Sequence, residues 1–206
     1  MSIAVSIWAI VPVKPFNFAK SRLAQVLSPE ERVSLSRTFF EHTLDLLAEV
    51  AEIERVMVVS RDTEALTRAR ARSAHTVTES GAPELNRALT RATQAAVSFG
   101  ARTVLVLPND LPMVTAKDVR QLVRLDGGTR LAVIAPDRRE NGTNALVVRP
   151  PLLIEYAFGP GSFRRHVERA EAAGARVQVV RRPGIGLDVD EPEDLSVYRE
   201  LISRPA

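Results

Sequence analysis

Asp188 and Asp190 stand two residues apart in the stretch Ile185-Gly186-Leu187-Asp188-Val189-Asp190-Glu191-Pro192-Glu193-Asp194-Leu195. The stretch reads as a strand running straight into a helix. On a strand, alternate residues share a face, so the two carboxylates stand side by side while Leu187 and Val189 turn the other way. Neighbouring carboxylates repel unless a cation lies between them. Hard cations that act on phosphates are held by a few carboxylates together with the phosphate oxygens themselves, so the pair is expected to form part of a Mg²⁺ site. Asp190 also occupies the position of a helix cap before Glu191-Pro192, a role not open to Asp188.

Three further stretches carry groups suited to the same chemistry. In Leu107-Pro108-Asn109-Asp110-Leu111-Pro112 an acidic residue is held between two prolines at the end of an apolar strand, from which Asp110 could reach the same metal. An Asx turn is the simpler alternative for it. Pro12-Val13-Lys14-Pro15-Phe16-Asn17-Phe18-Ala19-Lys20-Ser21-Arg22-Leu23 follows the first strand and brings Lys14, Lys20 and Arg22 into one short connection. It has no glycines and is not a Walker loop. Its cations could still neutralise a triphosphate and a pyrophosphate leaving group, although a solvated basic loop would look the same. Lysine occurs in the chain only at positions 14, 20 and 117, so two of three fall in this loop. Finally, Asn141-Gly142-Thr143-Asn144 and Phe158-Gly159-Pro160-Gly161-Ser162 place a hydroxyl, a small residue and an expected N-cap, Ser162, near a helix start. The free N–H groups of such a turn bind a carboxylate or phosphate. Turn chemistry and capping explain the same residues. His42, His75 and His166 share no metal-ligand spacing and read as surface or packing residues.

These loops need a scaffold of alternating strands and helices. Strand-like segments run Trp8 to Val13, Val56 to Ser60, Thr103 to Leu107, Leu131 to Ala135, Ala145 to Val148 and Val177 to Val180. A capping box with Pro in the first turn, Ser28-Pro29-Glu30-Glu31, opens a helix with Val33, Phe40, Leu44 and Leu47 on one stripe. Further helices are expected from Pro83 to Phe99, burying Leu85, Leu89, Ala92 and Ala96; from Thr115, burying Val119, Leu122 and Val123; and from Ser162 to Ala173, stopped by Gly174. Such alternation implies an α/β fold with a mostly parallel sheet covered on both faces, in which ligands bind beyond the carboxyl ends of the strands. The rhythm breaks between Asp137 and Gly161. A chain of 206 residues suits one domain, 1–206.

The composition, 45% hydrophobic and 26% charged, is that of an ordinary soluble protein. The apolar run Ile7 to Val13 is too short to cross a bilayer and lacks the features of a signal peptide, so the expectation is a cytoplasmic protein with no membrane partner. Without cysteine, a metal must be bound by oxygen or histidine. The formal charge of +3 comes from arginines interleaved with acids, not from a basic block with stacking aromatics, so no nucleic-acid partner is expected.

Six segments in order resemble the 2-phospho-L-lactate guanylyltransferases, the family that includes the phosphoenolpyruvate and 3-phosphoglycerate guanylyltransferases of coenzyme F420 biosynthesis. They are Ile10-Val11-Pro12-Val13-Lys14 with Ala19-Lys20-Ser21-Arg22-Leu23, then Leu85-Asn86-Arg87-Ala88-Leu89, Asp110-Leu111-Pro112, Gly142-Thr143-Asn144-Ala145-Leu146, Phe158-Gly159-Pro160-Gly161-Ser162 and Asp188-Val189-Asp190. The Asp-x-Asp pattern is shared more widely among nucleotidyltransferases. The resemblance implies a three-layer α/β/α, nucleotide-diphospho-sugar-transferase-like fold and GTP and a phosphorylated three-carbon acid as substrates. It implies Mg²⁺ on Asp110, Asp188 and Asp190, the GTP phosphates on Lys14, Lys20 and Arg22, and Asn86 facing the nucleotide. Thr143, Gly159 and Ser162 would hold the acid's carboxylate. Lys20 would serve the transfer step. Another nucleotidyltransferase or a glycosyltransferase of the same fold, or a non-enzymatic nucleotide-binding module, would share the carboxylates. The choice of acid and the oligomeric state are left open by the sequence.

Overall fold

In a computed structural model, residues 6–124 and 128–203 are described. Seven strands form one sheet in the order β3-β2-β1-β4-β6-β5-β7: β1 (Ile7–Val13), β2 (Ile53–Ser60), β3 (His75–Thr78), β4 (Thr103–Val106), β5 (Leu131–Pro136), β6 (Thr143–Arg149) and β7 (Arg176–Val179). All neighbours are parallel except at β6, which runs antiparallel to both β4 and β5. The break expected after Asp137 is the hairpin that reverses the chain into β6. Asp137 builds that turn, accepting hydrogen bonds from the N–H groups of Arg139, Asn141 and Gly142.

The alternation along β1 explains the layering. Ile7, Ala9, Val11 and Val13 face one apolar cluster, which takes in α1 (Pro29–Ala48), α2 (Thr63–Ala71) and α4 (Ala116–Val123). Trp8 and Ile10 face a second cluster, with α3 (Leu85–Ser98) and α5 (Ser162–Ala172). A sheet buried on both faces has apolar strands throughout, and β5 is buried at every position. The expected capping boxes are both formed, Ser28 with Glu31 and Thr115 with Asp118.

Three expectations need correction. Between Ser60 and Pro83 the chain contains α2 and β3, which the sequence reading left unassigned. The first buries only Ala65, Leu66 and Ala69, and the second is a four-residue edge strand with no fully buried position, so neither carries a strong apolar period. Leu85, expected inside, is 41% exposed at the first turn of α3. The expected strand before Asp188 is not part of the sheet: a short helix, α6 (Pro183–Gly186), leads into an extended segment before α7 (Pro192–Ser203).

That segment nevertheless alternates as a strand would. Leu187 and Val189 are buried in a third cluster with Leu23, Leu27, Phe39 and Leu195, which fastens it to the chain following the first loop. The Val189 N–H donates to the Asp110 carbonyl (3.1 Å), tying the two acidic loops together by backbone. Gly184 packs so closely on the Met113 carbonyl that a Cβ there would overlap it, with Asp118 Oδ2 3.1 Å away. Neither obstacle is a floppy side-chain end, because Asp118 is held by Thr115 and Arg182. Gly184→Ala is therefore expected to lower stability by roughly 2 kcal/mol, within the range for overpacking, and to loosen the register of Asp188 against Asp110. Denaturant unfolding checks the first effect; an unchanged midpoint would show that the segment moves freely.

Candidate active site

A cleft of about 890 Å³ opens beyond the carboxyl ends of β1 and β4, where the strand order turns from β2 and β3 to the other side of the sheet. This is the place an open α/β sheet offers to ligands, and the volume suits a nucleotide and a small acid. The residues lining it include Lys14, Lys20, Arg22, Asp110, Thr143, Gly159, Ser162, Asp188 and Asp190. They come from five separate stretches of the chain, which the fold brings to one place.

Lys20 is at the centre. Its Nζ donates to Asp190 Oδ1 at 3.0 Å and lies 3.6 Å from Asp110 Oδ2, with a side chain only 7% exposed. Its backbone is left-handed, φ 54°, ψ 34°, a conformation that a side-chain-bearing residue adopts only when its surroundings enforce it. The surroundings are visible. Phe16 is buried beneath the loop and donates its N–H to Asp62 Oδ2, and Ser60 Oγ donates to the Val13 carbonyl.

Burial alone would lower the Lys20 pKa, but Asp110 and Asp190 outweigh it and hold the ammonium above its ordinary value. Asp190 responds oppositely: despite burial, Lys20 keeps its carboxyl below the usual range. Asp110 is pushed up, because burial exceeds the attraction of the more distant Lys20 and Asp190 adds repulsion. Asp188, away from the ammonium, is pushed up to about 6 by burial and by Asp110, although Asn144 Nδ2 donates to it at 3.2 Å. The site thus holds three carboxylates with one internal countercharge.

Oxygen donors of this kind, with two of them strained by burial and mutual repulsion, suit a hard divalent cation. Among the described residues no three acidic or histidine side chains are grouped closely enough to enclose a metal as they stand. Lys20 supplies the positive charge between Asp110 and Asp190 in this arrangement.

Asp190 does not cap α7, as the sequence allowed. Asp194 does so from within the helix, its Oδ2 accepting from the N–H groups of Asp190 and Glu191, and its other oxygen is held by Arg138 at 2.6 Å. The Asp190 side chain is thereby released to Lys20. Arg22 pairs with Glu191 at 2.9 Å on the rim, and Lys14 is exposed in the cleft.

The second wall departs from expectation. Gly161, with φ 72°, occupies the N-cap of α5, and Ser162 is the first helical residue. Three of the donors expected to bind an anion are spent: Ser162 N–H on the Gly159 carbonyl, Phe163 N–H on the Asn141 carbonyl and Gly161 N–H on Asn141 Oδ1. What remains at this wall is a side-chain cluster. Ser162 Oγ donates to Thr143 Oγ1 (3.2 Å), which also meets His166 Nδ1 at 2.9 Å. His166, read from sequence as a surface or packing residue, is fully buried in this cluster. Asn86 uses both ends of its amide on the Phe158 backbone (2.7 and 3.3 Å) and so fixes the loop leading to Gly159. Asn144, not singled out by the sequence reading, joins the walls by donating to the Ile185 carbonyl as well as to Asp188. Its place in the Gly142-Thr143-Asn144 run was the only signal for it.

Fold and site together define a nucleotidyltransferase-type α/β protein. Among solved structures, a nucleotidyl transferase from Methanothermobacter thermautotrophicus superposes with a TM-score of 0.70 at 18% identity, covering 95% of this chain and 97% of the other. One from Desulfovibrio desulfuricans, assigned as a nucleotide-diphospho-sugar transferase, gives 0.75 at 19% identity, covering 97% and 89%. At the level of sequence the assignment narrows. The family profile described as "Guanylyl transferase CofC like" matches residues 7–202, and the chain belongs to that family. A phosphoenolpyruvate guanylyltransferase of Rubrobacter xylanophilus is 41% identical over 93% of both chains. A 2-phospho-L-lactate guanylyltransferase of Methanothermobacter thermautotrophicus is 34% identical over 91% of this chain and 81% of its own. No helix among the described residues is long and apolar enough to cross a membrane.

Proposed function

We propose that this chain is a Mg²⁺-dependent guanylyltransferase. It transfers GMP from GTP to the phosphate of phosphoenolpyruvate, 2-phospho-L-lactate or 3-phosphoglycerate, releases pyrophosphate, and serves coenzyme F420 biosynthesis. The observation that carries the reading is that Asp110 and Asp190, paired with the buried Lys20, line one cleft together with Asp188 and the Thr143 and Ser162 hydroxyls.

In the reaction a phosphate oxygen of the acid attacks the α-phosphorus of GTP in line. A new P–O bond forms, the bond from the α-phosphorus to the bridging oxygen breaks, and pyrophosphate leaves with the electron pair. A phosphate monoester with a second pKa of about 6 is largely dianionic at pH 7 and needs no protein base. The work left to the protein is to bring two anions together in the right orientation. Lys14, Lys20 and Arg22 lie on the side of the cleft that would receive the triphosphate, and their charge favours the departing pyrophosphate. Thr143, Ser162 and the Gly159 loop face the acid. Asp110, Asp188 and Asp190 would hold Mg²⁺, which supplies charge neutralisation at the phosphates when bound.

The test is incubation with GTP, Mg²⁺ and each of the three acids, following pyrophosphate and a guanylylated acid. Phosphoenolpyruvate comes first, because relatives bearing that name include those at 41% and 40% identity. Release of pyrophosphate with GTP and at least one acid is the expected result. GTP binding without turnover on any of them would overturn the reading.

A further inference from the structure

His166 is the one buried imidazole of the site, and its two nitrogens have different partners. The Ala157 N–H donates to Nε2 at 2.9 Å, so Nε2 carries a lone pair and not a proton. Burial and the nearby Arg169 and Arg165 charges depress its pKa to about 4, so the ring is neutral at pH 7. A neutral ring with a bare Nε2 must carry its proton on Nδ1. That proton faces Thr143 Oγ1 at 2.9 Å. Ser162, one helical turn before His166 on the same face of α5, donates its hydroxyl to the same oxygen. A hydroxyl oxygen has two lone pairs, and both are then taken.

We infer that His166 is a positioning residue that fixes Thr143 as a hydrogen-bond donor into the cleft, so that this wall selects a substrate group that only accepts, such as a carboxylate. The Thr143 proton has no room between its two donors and is turned toward the cleft that Thr143 lines. The same imidazole anchors the Ala157 N–H immediately before Phe158-Gly159, and its ring packs edge-on against Phe158 at 4.9 Å. One side chain therefore sets both the hydroxyl and the loop that carries Gly159. With the N–H groups of Gly161, Ser162 and Phe163 committed elsewhere, this hydroxyl is a donor available to meet the acid's carboxylate. The inference rests on the proposed assignment of this wall to the acid.

Two variants separate the two nitrogens. An Asn amide reaches the Nδ1 position and can still donate to Thr143, whereas a Gln amide reaches the Nε2 position and can only keep Ala157. His166→Asn is expected to hold the KM for the acid within about threefold of wild type. His166→Gln is expected to raise it about tenfold, the worth of one charge-assisted hydrogen bond, with the KM for GTP unchanged in both. Equal losses in the two variants, or a KM for GTP that rises in step, would overturn the inference. Long-range ¹H–¹⁵N spectra of the wild-type ring at pH 7 provide a readout independent of activity and of variant folding. The neutral Nδ1–H tautomer is expected, and an Nε2–H tautomer or a charged ring refutes the donor assignment. An Nδ1–H ring in a protein that turns over none of the acids would instead refute the substrate reading.

Discussion

Asp188→Asn is expected to reduce GTP-dependent pyrophosphate release by about three powers of ten while leaving the protein as stable as wild type, or more so, in metal-free buffer. The two effects have one cause. Burial and the Asp110 charge push the Asp188 carboxyl up to about 6, so carrying its charge at pH 7 costs the folded state stability relative to the unfolded chain. An Asn side chain has the same shape, can still accept from Asn144 Nδ2, and removes the repulsion. Stability then has nothing to lose. Activity loses a few kcal/mol of charge stabilisation at the phosphates, which at 1.36 kcal/mol per factor of ten gives the stated rate effect. A residue present only for packing would show the reverse, lost stability with modest loss of rate. Near-normal turnover of the folded variant with Mg²⁺ would take Asp188 out of the mechanism.

That Asp188 and Asp190 belong together was legible because side-chain alternation follows from an extended backbone, whether or not that backbone joins a sheet. Leu187 and Val189 are buried as a strand reading requires, yet the segment is held by the Leu23 and Phe39 cluster and one bond to Asp110. The apolar strands β1, β2, β4, β5 and β6 were legible for a similar reason: burial on both faces leaves continuous apolar runs. The edge strand β3 and the arginine-rich α2 bury little and leave little trace. The role of His166 could not be read, because its meaning lies in contacts with Thr143, 23 positions away, and with Ala157, nine away. Spacing rules detect partners within one helix or strand, and these three are spread over α5, the start of β6 and the loop between them. Capping at α5 was misplaced by one residue because Gly161 and Ser162 are both acceptable caps, and only the left-handed backbone of Gly161 decides between them.

The second large effect concerns Lys20. Lys20→Met keeps the volume and the left-handed backbone but removes the one ammonium that lies between Asp110 and Asp190. Breaking a buried pair from one side costs about 3–5 kcal/mol. Here Asp110 and Asp190 keep 28% and 44% of their side-chain surface exposed, and water screens part of that loss, so roughly 2–3 kcal/mol is expected in metal-free unfolding experiments. Mg²⁺ should then restore much of it. A ligand at a hundred times its dissociation constant stabilises the folded state by about 2.7 kcal/mol, and in the variant no ammonium competes for the carboxylates. Wild-type protein should gain less from the same addition, since Lys20 must first give up its partners. Turnover should remain depressed in the variant even at saturating Mg²⁺, because the metal replaces the countercharge of the carboxylates but not the cation owed to the triphosphate. A variant as stable as wild type without metal would show that Lys20 is not the countercharge. Destabilisation that Mg²⁺ leaves untouched would show that the three carboxylates do not take up the ion, and with it the metal-dependent reading of the cleft would fall.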